Sequence, residues 1–251
     1  MIQNNNIDKL DSDVLVNPRR VLLVELIYWI MFFRIKIMSP EEAARFLMLF
    51  DNKLYSLQGR AAVRYGNGIH TKHRHMQYHD FFVNRITKNE KVLDVGCGIG
   101  AVSYDIAQKS GAIITAIDLN PKNIEKAKAE FNHSNIEYIV GDAFTDLPEK
   151  KFEVVILSNV LEHIEKRAFF LKRLCLTVSP KRLLIRVPLF ERDWRVPLKK
   201  ELGIDYRLDS THFTEYTHES FFREMKEAGL AITHLESRWG EIWAEVIPDG
   251  A

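Results

Sequence analysis

The sequence has few cysteines and almost no net charge. Its two cysteines, Cys97 and Cys175, are too few for a disulfide framework in a chain of 251 residues. The 35 basic side chains are balanced by 34 acidic ones, so the bulk charge does not indicate a nucleic acid as partner. We therefore predict a cytoplasmic protein that does not bind nucleic acid.

An apolar run long enough to cross a membrane is also lacking. The longest candidate, Val21 to Phe33, has 13 residues, includes Glu25, and is followed by Arg34 and Lys36 without a small-residue cleavage site. We predict no transmembrane segment. A buried or dimer-forming helix is favoured over a membrane-surface helix, because the flanks lack a basic, amphipathic face. A homodimer is thus one expectation.

The pattern of the chain changes near residue 85. Residues 1–85 read as a helical accessory or lid region, with Ser39 as an N-cap before Pro40. After residue 90, short apolar runs alternate with helical patterns, which is typical of an α/β fold with a mostly parallel sheet and a closing antiparallel strand. The predicted strands are 91–95, 113–117, 136–140, 153–157, 183–187, 231–235 and 242–247.

A glycine turn, KVLDVGCGIGAV at residues 91–102, follows the first predicted strand and opens a helix. Its sixth position is Ala101, so the turn can be spelled G-x-G-x-G or G-x-G-x-x-A. The first spelling suggests S-adenosylmethionine and the second a dinucleotide. Asp94, two residues before the first glycine, strengthens the motif. The glycines are Gly96, Gly98 and Gly100.

Acidic residues follow the next two strands. Asp118 could accept both hydroxyls of a ribose, as it could in either cofactor class, and Asn120 already supplies the helix cap there. Asp142 could accept from an adenine amino group while the Ala143 amide donates to the ring. A plain turn aspartate is an equal alternative for Asp142.

Four segments, VLDVGCGIG, AIDLN, GDA and FEVVILSNVLEHI, occur in this order and resemble the class I S-adenosylmethionine-dependent methyltransferases over roughly residues 90–190. The resemblance implies a Rossmann-like sheet, S-adenosyl-L-methionine as cofactor, and an acid before the glycine turn that holds the amino-acid end of the cofactor. The predicted cofactor residues are Asp94, Gly96, Cys97, Gly98, Gly100, Asp118, Leu119, Asp142, Ala143, Ser158 and Asn159.

Two flanking stretches resemble a narrower group, the methyltransferases of bacterial surface-polysaccharide biosynthesis. They are GIHTKHRHMQYHDFFVNRI before the core, and DSTHFTEYTHESFFREMKEAGL with RWGEIWAE after it. This resemblance implies a sugar or a sugar-linked lipid, a carbohydrate, as the small-molecule acceptor.

The first flank contains His70, His73, His75 and His79. His75 and His79 would share a helix face, but no acid lies between them as in H-E-x-x-H, and zinc sites usually draw on several segments. We therefore predict no metal site, and interpret the stretch as a lid that faces an anion.

The acceptor site is predicted on residues 188–216, the longest irregular stretch, which leaves the sheet at its ligand-bearing edge. Trp194 or Tyr206 would stack on the acceptor, and Arg192, Arg195 or Lys199 would meet a phosphate or carboxylate. Glu215 is grouped with these substrate residues. Within the domain predicted for residues 86–251, this stretch would carry acceptor specificity.

The predicted chemistry is direct displacement of the methyl group by an acceptor oxygen or nitrogen, aligned at about 3 Å. His163, after the fourth strand, is the first candidate for the base, although it could be a surface residue beside Glu162. His212 is the second candidate, supported by Glu215. An NAD(P)-dependent oxidoreductase and a non-catalytic cofactor-binding scaffold remain alternative functions.

Overall fold

Seven strands form a single sheet in the order β3-β2-β1-β4-β5-β7-β6. In this computed structural model, residues 18–249 are described, with side chains from Leu22 onward. The first five strands are parallel, and β6 and β7 close the sheet as an antiparallel pair, as the sequence predicts. The strands are β1 Lys91–Val95, β2 Ile113–Asp118, β3 Ile136–Val140, β4 Val154–Ser158, β5 Arg182–Pro188, β6 Leu230–Arg238 and β7 Glu241–Pro248.

Helices connect β1 to β2, β2 to β3 and β4 to β5, as in βα units, whereas a segment without a helix connects β3 to β4. The helices are α1 Pro18–Lys36, α2 Pro40–Tyr65, α3 Lys72–Met76, α4 Tyr78–Val83, α5 Ala101–Ser110, α6 Pro121–Glu130, α7 Arg167–Val178, α8 Arg195–Glu201 and α9 His218–Ala228. Short 3₁₀ turns cover Leu161–His163 and Phe190–Arg192. Among the described helices, none is both long enough and apolar enough to cross a membrane.

The helix cap predicted at Asn120 is present, and both ends of α9 are capped as well. The Asn120 side chain accepts from the Lys122 amide with Pro121 at the first helical position, and Thr217 forms a capping box with Ser220 at the start of α9. Gly229 ends α9 in the left-handed conformation at φ +73°. These local signals are reliable because each satisfies backbone groups that a helix end leaves unpaired.

The chain forms two compact units that meet inside α2, one ending at Leu54 and the other starting at Tyr55. This differs from the expected boundary at residue 85. The reason is that α3 and α4 belong to the core of the larger unit, where Met76, Tyr78 and Phe82 are buried.

Both faces of the sheet are covered. One cluster of buried side chains joins the sheet to α7 and α9, and another joins it to α4, α5 and α6. The central strands β1 and β4 are therefore apolar without alternation, as expected for parallel strands buried on both faces. The carboxyl ends of β1, β2 and β4 meet at one edge of the sheet.

The predicted irregular stretch 188–216 is not wholly irregular. It contains the 3₁₀ turn at residues 190–192 and helix α8, in which Val196 is buried. Pro197 concealed this helix in the sequence, yet a proline in the first helical turn breaks no hydrogen bond. The prediction of one long loop was wrong in this respect.

Candidate functional site

The glycine turn after β1 leaves room for a ligand. Gly98 has a φ of +56°, and a Cβ added there would meet nothing within 4 Å. Gly100 has a φ of +83°, and a Cβ there would lie 2.5 Å from the Tyr138 hydroxyl. Gly98 is thus required for its backbone conformation alone, whereas Gly100 is required for its conformation and also for its packing against Tyr138.

Asp118, at the end of β2, is fixed beside this turn. Its Oδ2 accepts from the Gly98 amide at 2.8 Å, and its Oδ1 accepts from the Asn120 amide at 2.9 Å and from the Asn123 side chain at 3.0 Å. The carboxylate is therefore oriented at the mouth of the glycine turn, where a ribose hydroxyl can reach it.

Asp94 lies under the turn and is buried. Burial raises the pKa of its carboxyl to about 7, opposed by the Ser103 hydroxyl, which donates to it at 2.5 Å. Asp94 thus anchors the start of α5, and any contact with the cofactor remains a prediction.

The other predicted cofactor residues flank this edge. Leu119 is 71% exposed, whereas Cys97 is partly buried and burial raises the pKa of its thiol. Asp142 accepts from the Phe144 amide through Oδ1 at 2.8 Å. This is the hydrogen bond expected of an aspartate that stabilises a turn. An adenine contact would use the other oxygen of Asp142, with Ala143 beside it.

The end of β4 supplies a buried acceptor atom that lacks a partner. Asn159 is left-handed at φ 57°, and its side-chain Oδ1 is buried without a hydrogen bond. Ser158 precedes it, and its hydroxyl accepts from Arg186 at 3.3 Å. The open space over Gly98 and the unpaired Asn159 oxygen together fit a nucleoside cofactor laid across β1 and β4.

The two predicted bases lie together. The rings of His163 and His212 are edge to face with centroids 4.6 Å apart. They line a pocket of about 540 Å³ beside the end of β4. The residues that line it are His163, Arg207, Ser210, Thr211, His212 and Phe213.

The hydrogen bonds determine which ring nitrogen of each histidine carries the proton. The Thr211 hydroxyl lies 2.9 Å from Nδ1 of His163 and donates its single hydrogen to Asp209 at 2.7 Å. The hydroxyl must therefore accept from His163 Nδ1, which leaves Nε2 as the basic nitrogen of the neutral ring. His212 likewise donates from Nδ1 to Glu215 at 2.9 Å.

Burial lowers the pKa of His163, and the nearby His212 lowers it further. His163 is therefore neutral at pH 7. Its ring is in the state required of a proton acceptor.

Glu162 is fully buried beside this pair. Neither of its carboxylate oxygens has a hydrogen-bond partner, and burial raises its pKa to about 7. Glu162, His163 and His212 offer ligand atoms that all lie within 4.8 Å of one another, so they form a group among the described residues that could hold a cation.

The predicted lid packs on the sheet. The Tyr78 ring lies 3.9 Å from the guanidinium carbon of Arg186, and its hydroxyl lies 3.0 Å from Nδ1 of His73. Burial, and then Lys72, lowers the pKa of His73 to about 4. A left-handed residue, Gln77, separates α3 from α4, so the prediction that His75 and His79 share one helix face was wrong.

The predicted acceptor residues do not converge on the pocket. Trp194 is 69% exposed, Arg195 is paired with Asp193, and Tyr206 packs edge-on against Phe190. Arg192, which was expected to meet an anion, instead pairs with Glu215.

Glu215 is buried, and both of its carboxylate oxygens accept hydrogen bonds. It accepts from Arg192, from His212 and from the Leu208 amide. Its contacts favour positioning of His212 over direct contact with an acceptor, which corrects its placement among the substrate residues.

Sequence reasoning missed a buried ion pair at the same edge. Arg186 donates twice to Glu241, at 2.5 and 2.7 Å, and both side chains are buried. A charged residue inside the apolar strand RLLIRVP was the available signal, since buried charges are normally paired.

The glycine turn after β1, the carboxylate after β2 and the polar end of β4 on this sheet define a class I S-adenosylmethionine-dependent methyltransferase. The chain belongs to the methyltransferase domain family, which matches residues 69–235. S-adenosylmethionine is its cofactor, and the dinucleotide alternative has no support in these similarities.

Curated relatives include ubiquinone biosynthesis O-methyltransferases. The protein of Pelagibacter ubique is 39% identical over 87 residues, 34% of this chain and 36% of that protein. The protein of Bradyrhizobium diazoefficiens is 30% identical over 120 residues, 47% of each chain. The chain therefore matches only a third to a half of the length of these two relatives, and they give no support to the narrower polysaccharide resemblance.

Solved structures share the fold. Magnesium protoporphyrin IX methyltransferase of Synechocystis PCC 6803, with bound SAH, superposes with a TM-score of 0.56 at 18% identity, covering 70% of this chain and 84% of that one. A TehB-like SAM-dependent methyltransferase of Corynebacterium glutamicum gives a TM-score of 0.51 at 18% identity, covering 78% and 97%.

Proposed function

We propose that this methyltransferase methylates a hydroxyl oxygen of a small aromatic molecule, with His163 as the proton acceptor. The observation that carries the proposal is the pair of histidines, with ring centroids 4.6 Å apart, beside the end of β4. The O-methyltransferase names of the relatives support oxygen as the methylated atom.

S-adenosylmethionine supplies a methyl group on a positively charged sulfur. The acceptor oxygen forms a bond to that methyl carbon as the carbon–sulfur bond breaks, and the hydroxyl proton must leave. His163 would take this proton on Nε2, because its Nδ1–H is held by Thr211. His212, held by Glu215, is the second candidate for the same task.

The acidity of the acceptor favours an aromatic hydroxyl over a sugar hydroxyl. A phenol has a pKa of about 10, as in tyrosine, whereas an alcohol is a much weaker acid, close to water itself. Burial lowers the pKa of His163, so this histidine is a weak base. Proton transfer to a weak base is less unfavourable from a more acidic hydroxyl, because the difference between the two pKa values is smaller.

Cofactor binding would rest on the edge formed by β1, β2 and β4. Asp118 would accept the ribose hydroxyls, and the backbone at Gly98 would allow the close approach of the ligand. The unpaired Oδ1 of Asn159 would accept from a donor on the cofactor. These residues would bind and orient the methyl donor, and the histidines would act on the acceptor side.

The test measures methyl transfer from isotope-labelled S-adenosylmethionine to catechol and to a hexose phosphate. Methylated catechol is the expected product, detected by mass spectrometry, and His163→Asn should lower its turnover number about a hundredfold or more. His234→Asn, at an exposed histidine on β6, is the matched control. Methylation of the hexose phosphate alone would reject the aromatic acceptor.

A further inference from the structure

Helix α1 exposes apolar side chains around most of its surface. Nine of them each expose between 44% and 67% of their area. These residues are Leu22, Leu23, Val24, Leu26, Ile27, Tyr28, Trp29, Ile30 and Phe33. An exposed apolar surface of this kind indicates an interaction site, because its contact with water is unfavourable.

One side of α1 carries the longest continuous stripe. Its members are spaced by three or four residues and so lie above one another on the helix. They are Leu22, Leu26, Trp29 and Phe33, followed by Ile37 in the turn after the helix, and all are exposed. The half-buried residues Met31 and Ile35 lie on the opposite side of the helix, whereas the half-buried Phe32 borders the stripe and contacts Trp29 and Phe33. The stripe therefore needs a partner surface of its own.

Cations stand at both ends of this stripe. The sequence places Arg19 and Arg20 before it and Arg34 and Lys36 at its end, while Glu25 is the one acid within α1. A surface with negative charge at both ends of an apolar strip would complement this pattern. Anionic lipid headgroups over an acyl layer have this arrangement.

A second copy of the helix fits the charges poorly. In a parallel pair, Arg34 and Lys36 would face the same cations of the partner helix. In an antiparallel pair they would lie beside the helix end at which the sequence places Arg19 and Arg20. The next acids along the chain already have partners, since Glu41 pairs with Arg45 and Glu42 bonds with Ser39. A homotypic helix pair would thus bring like charges together in either orientation.

We propose that α1 docks this methyltransferase on a lipid surface with anionic headgroups. This replaces the buried or dimer-forming helix favoured from the sequence, because the structure exposes the apolar stripe and places Arg34 and Lys36 in the last turn of the helix. The helix would lie along the surface with its stripe among the acyl chains and its terminal cations at the headgroups. The apolar run of 13 residues is about 20 Å long, which is too short to cross a layer of about 30 Å. The proposal stands independently of the identity of the acceptor.

The test is co-sedimentation of the full chain with vesicles of phosphatidylcholine alone, or of equimolar phosphatidylcholine and phosphatidylglycerol. We expect strong binding to the mixed vesicles. Arg34→Gln with Lys36→Gln should weaken it about twenty- to thirtyfold at low salt, since each cation near an anionic surface contributes about fivefold. Leu26→Glu with Trp29→Glu should abolish it.

The matched control is Leu176→Glu on α7, at a leucine that is 82% exposed, and it should bind vesicles as the parent chain does. Unchanged affinity for S-adenosylmethionine in calorimetry would show that the α1 variants are folded, whatever the acceptor is. In Trp29→Phe, the blue shift of tryptophan fluorescence on vesicle addition should disappear.

Two results would overturn the proposal. One is equal binding to both vesicle types that the double Gln variant does not change, because charge would then play no part. The other is a chain that does not bind vesicles and sediments as a dimer, with Trp29→Glu sedimenting as a monomer. In that case the stripe is the interface between two copies.

Discussion

Replacing Glu162 by glutamine should stabilise this protein at alkaline pH and not at acidic pH. Burial raises the pKa of Glu162 from 4.5 to about 7. Below pH 4.5 the carboxyl is protonated in both the folded and the unfolded chain, so it has no effect on stability. As the pH rises from 4.5 to 7, the unfolded chain loses the proton first, and the folded state is destabilised.

The magnitude follows from that shift. A pKa raised from 4.5 to about 7 corresponds to about 3 kcal/mol of lost stability once the pH exceeds both values. Glutamine keeps the shape without the charge, although its amide would still lack partners. We therefore expect Glu162→Gln to gain about 2 to 3 kcal/mol at pH 9 and to match the parent chain at pH 4.

Urea unfolding of both chains at the two pH values measures the difference. The control is Glu137→Gln, at an exposed residue of β3 paired with Lys150, which should change stability by less than about 1 kcal/mol. Asp94, whose pKa is also raised to about 7, is present in both chains and cancels. A loss of stability in Glu162→Gln at pH 9 would refute the reasoning, because it would mean that the ionised carboxylate has a favourable partner.

Three further predictions concern binding and turnover. Asp118→Ala should weaken S-adenosylmethionine binding by about 1 to 3 kcal/mol in calorimetry; unchanged affinity would remove Asp118 from the cofactor site. His212→Ala should leave that affinity nearly intact and lower turnover, and if His212 removes the proton, the loss of turnover should shrink at high pH, whereas Trp194→Ala, at an exposed residue outside the pocket, should change turnover little; unchanged turnover in His212→Ala would place the acceptor elsewhere. EDTA should leave turnover unchanged, whereas inhibition reversed by one divalent ion would show that Glu162, His163 and His212 hold a metal.

The positions of the strands along the chain and their mostly parallel pairing could be predicted from the sequence, whereas their order in the sheet was not predicted. Apolar runs such as those of β1 and β4 are buried on both faces, so their sequence pattern is unambiguous. Helix α8 could not be foreseen, because it is short, contains Pro197 and is defined by burial of Val196 within the fold. The unit boundary at Leu54 also escaped prediction, since a helix pattern does not reveal which neighbour it packs on.

The chemical character of the site was predictable only in part. His163 and His212 were both identified, yet they are 49 positions apart in sequence, and their proximity depends on the fold. Their tautomers depend on Thr211 and Glu215, which no local pattern indicates. Contacts between distant segments, such as Arg186 with Glu241, require the register of β5 and β7.

Two sets of paired, largely buried charges among the described residues lie near the polar end of β4. Arg186 and Glu241 connect β5 to β7 under the ring of Tyr78, and Glu215 connects His212 to Arg192. Buried ion pairs are often no more stabilising than apolar residues of the same volume, so stability alone does not explain them. Their directional hydrogen bonds instead fix segments that a purely apolar contact would leave free to slide. If the acceptor binds beside His163 as proposed, its orientation would depend on these paired charges, whereas cofactor binding would depend on the backbone conformation of the glycine turn.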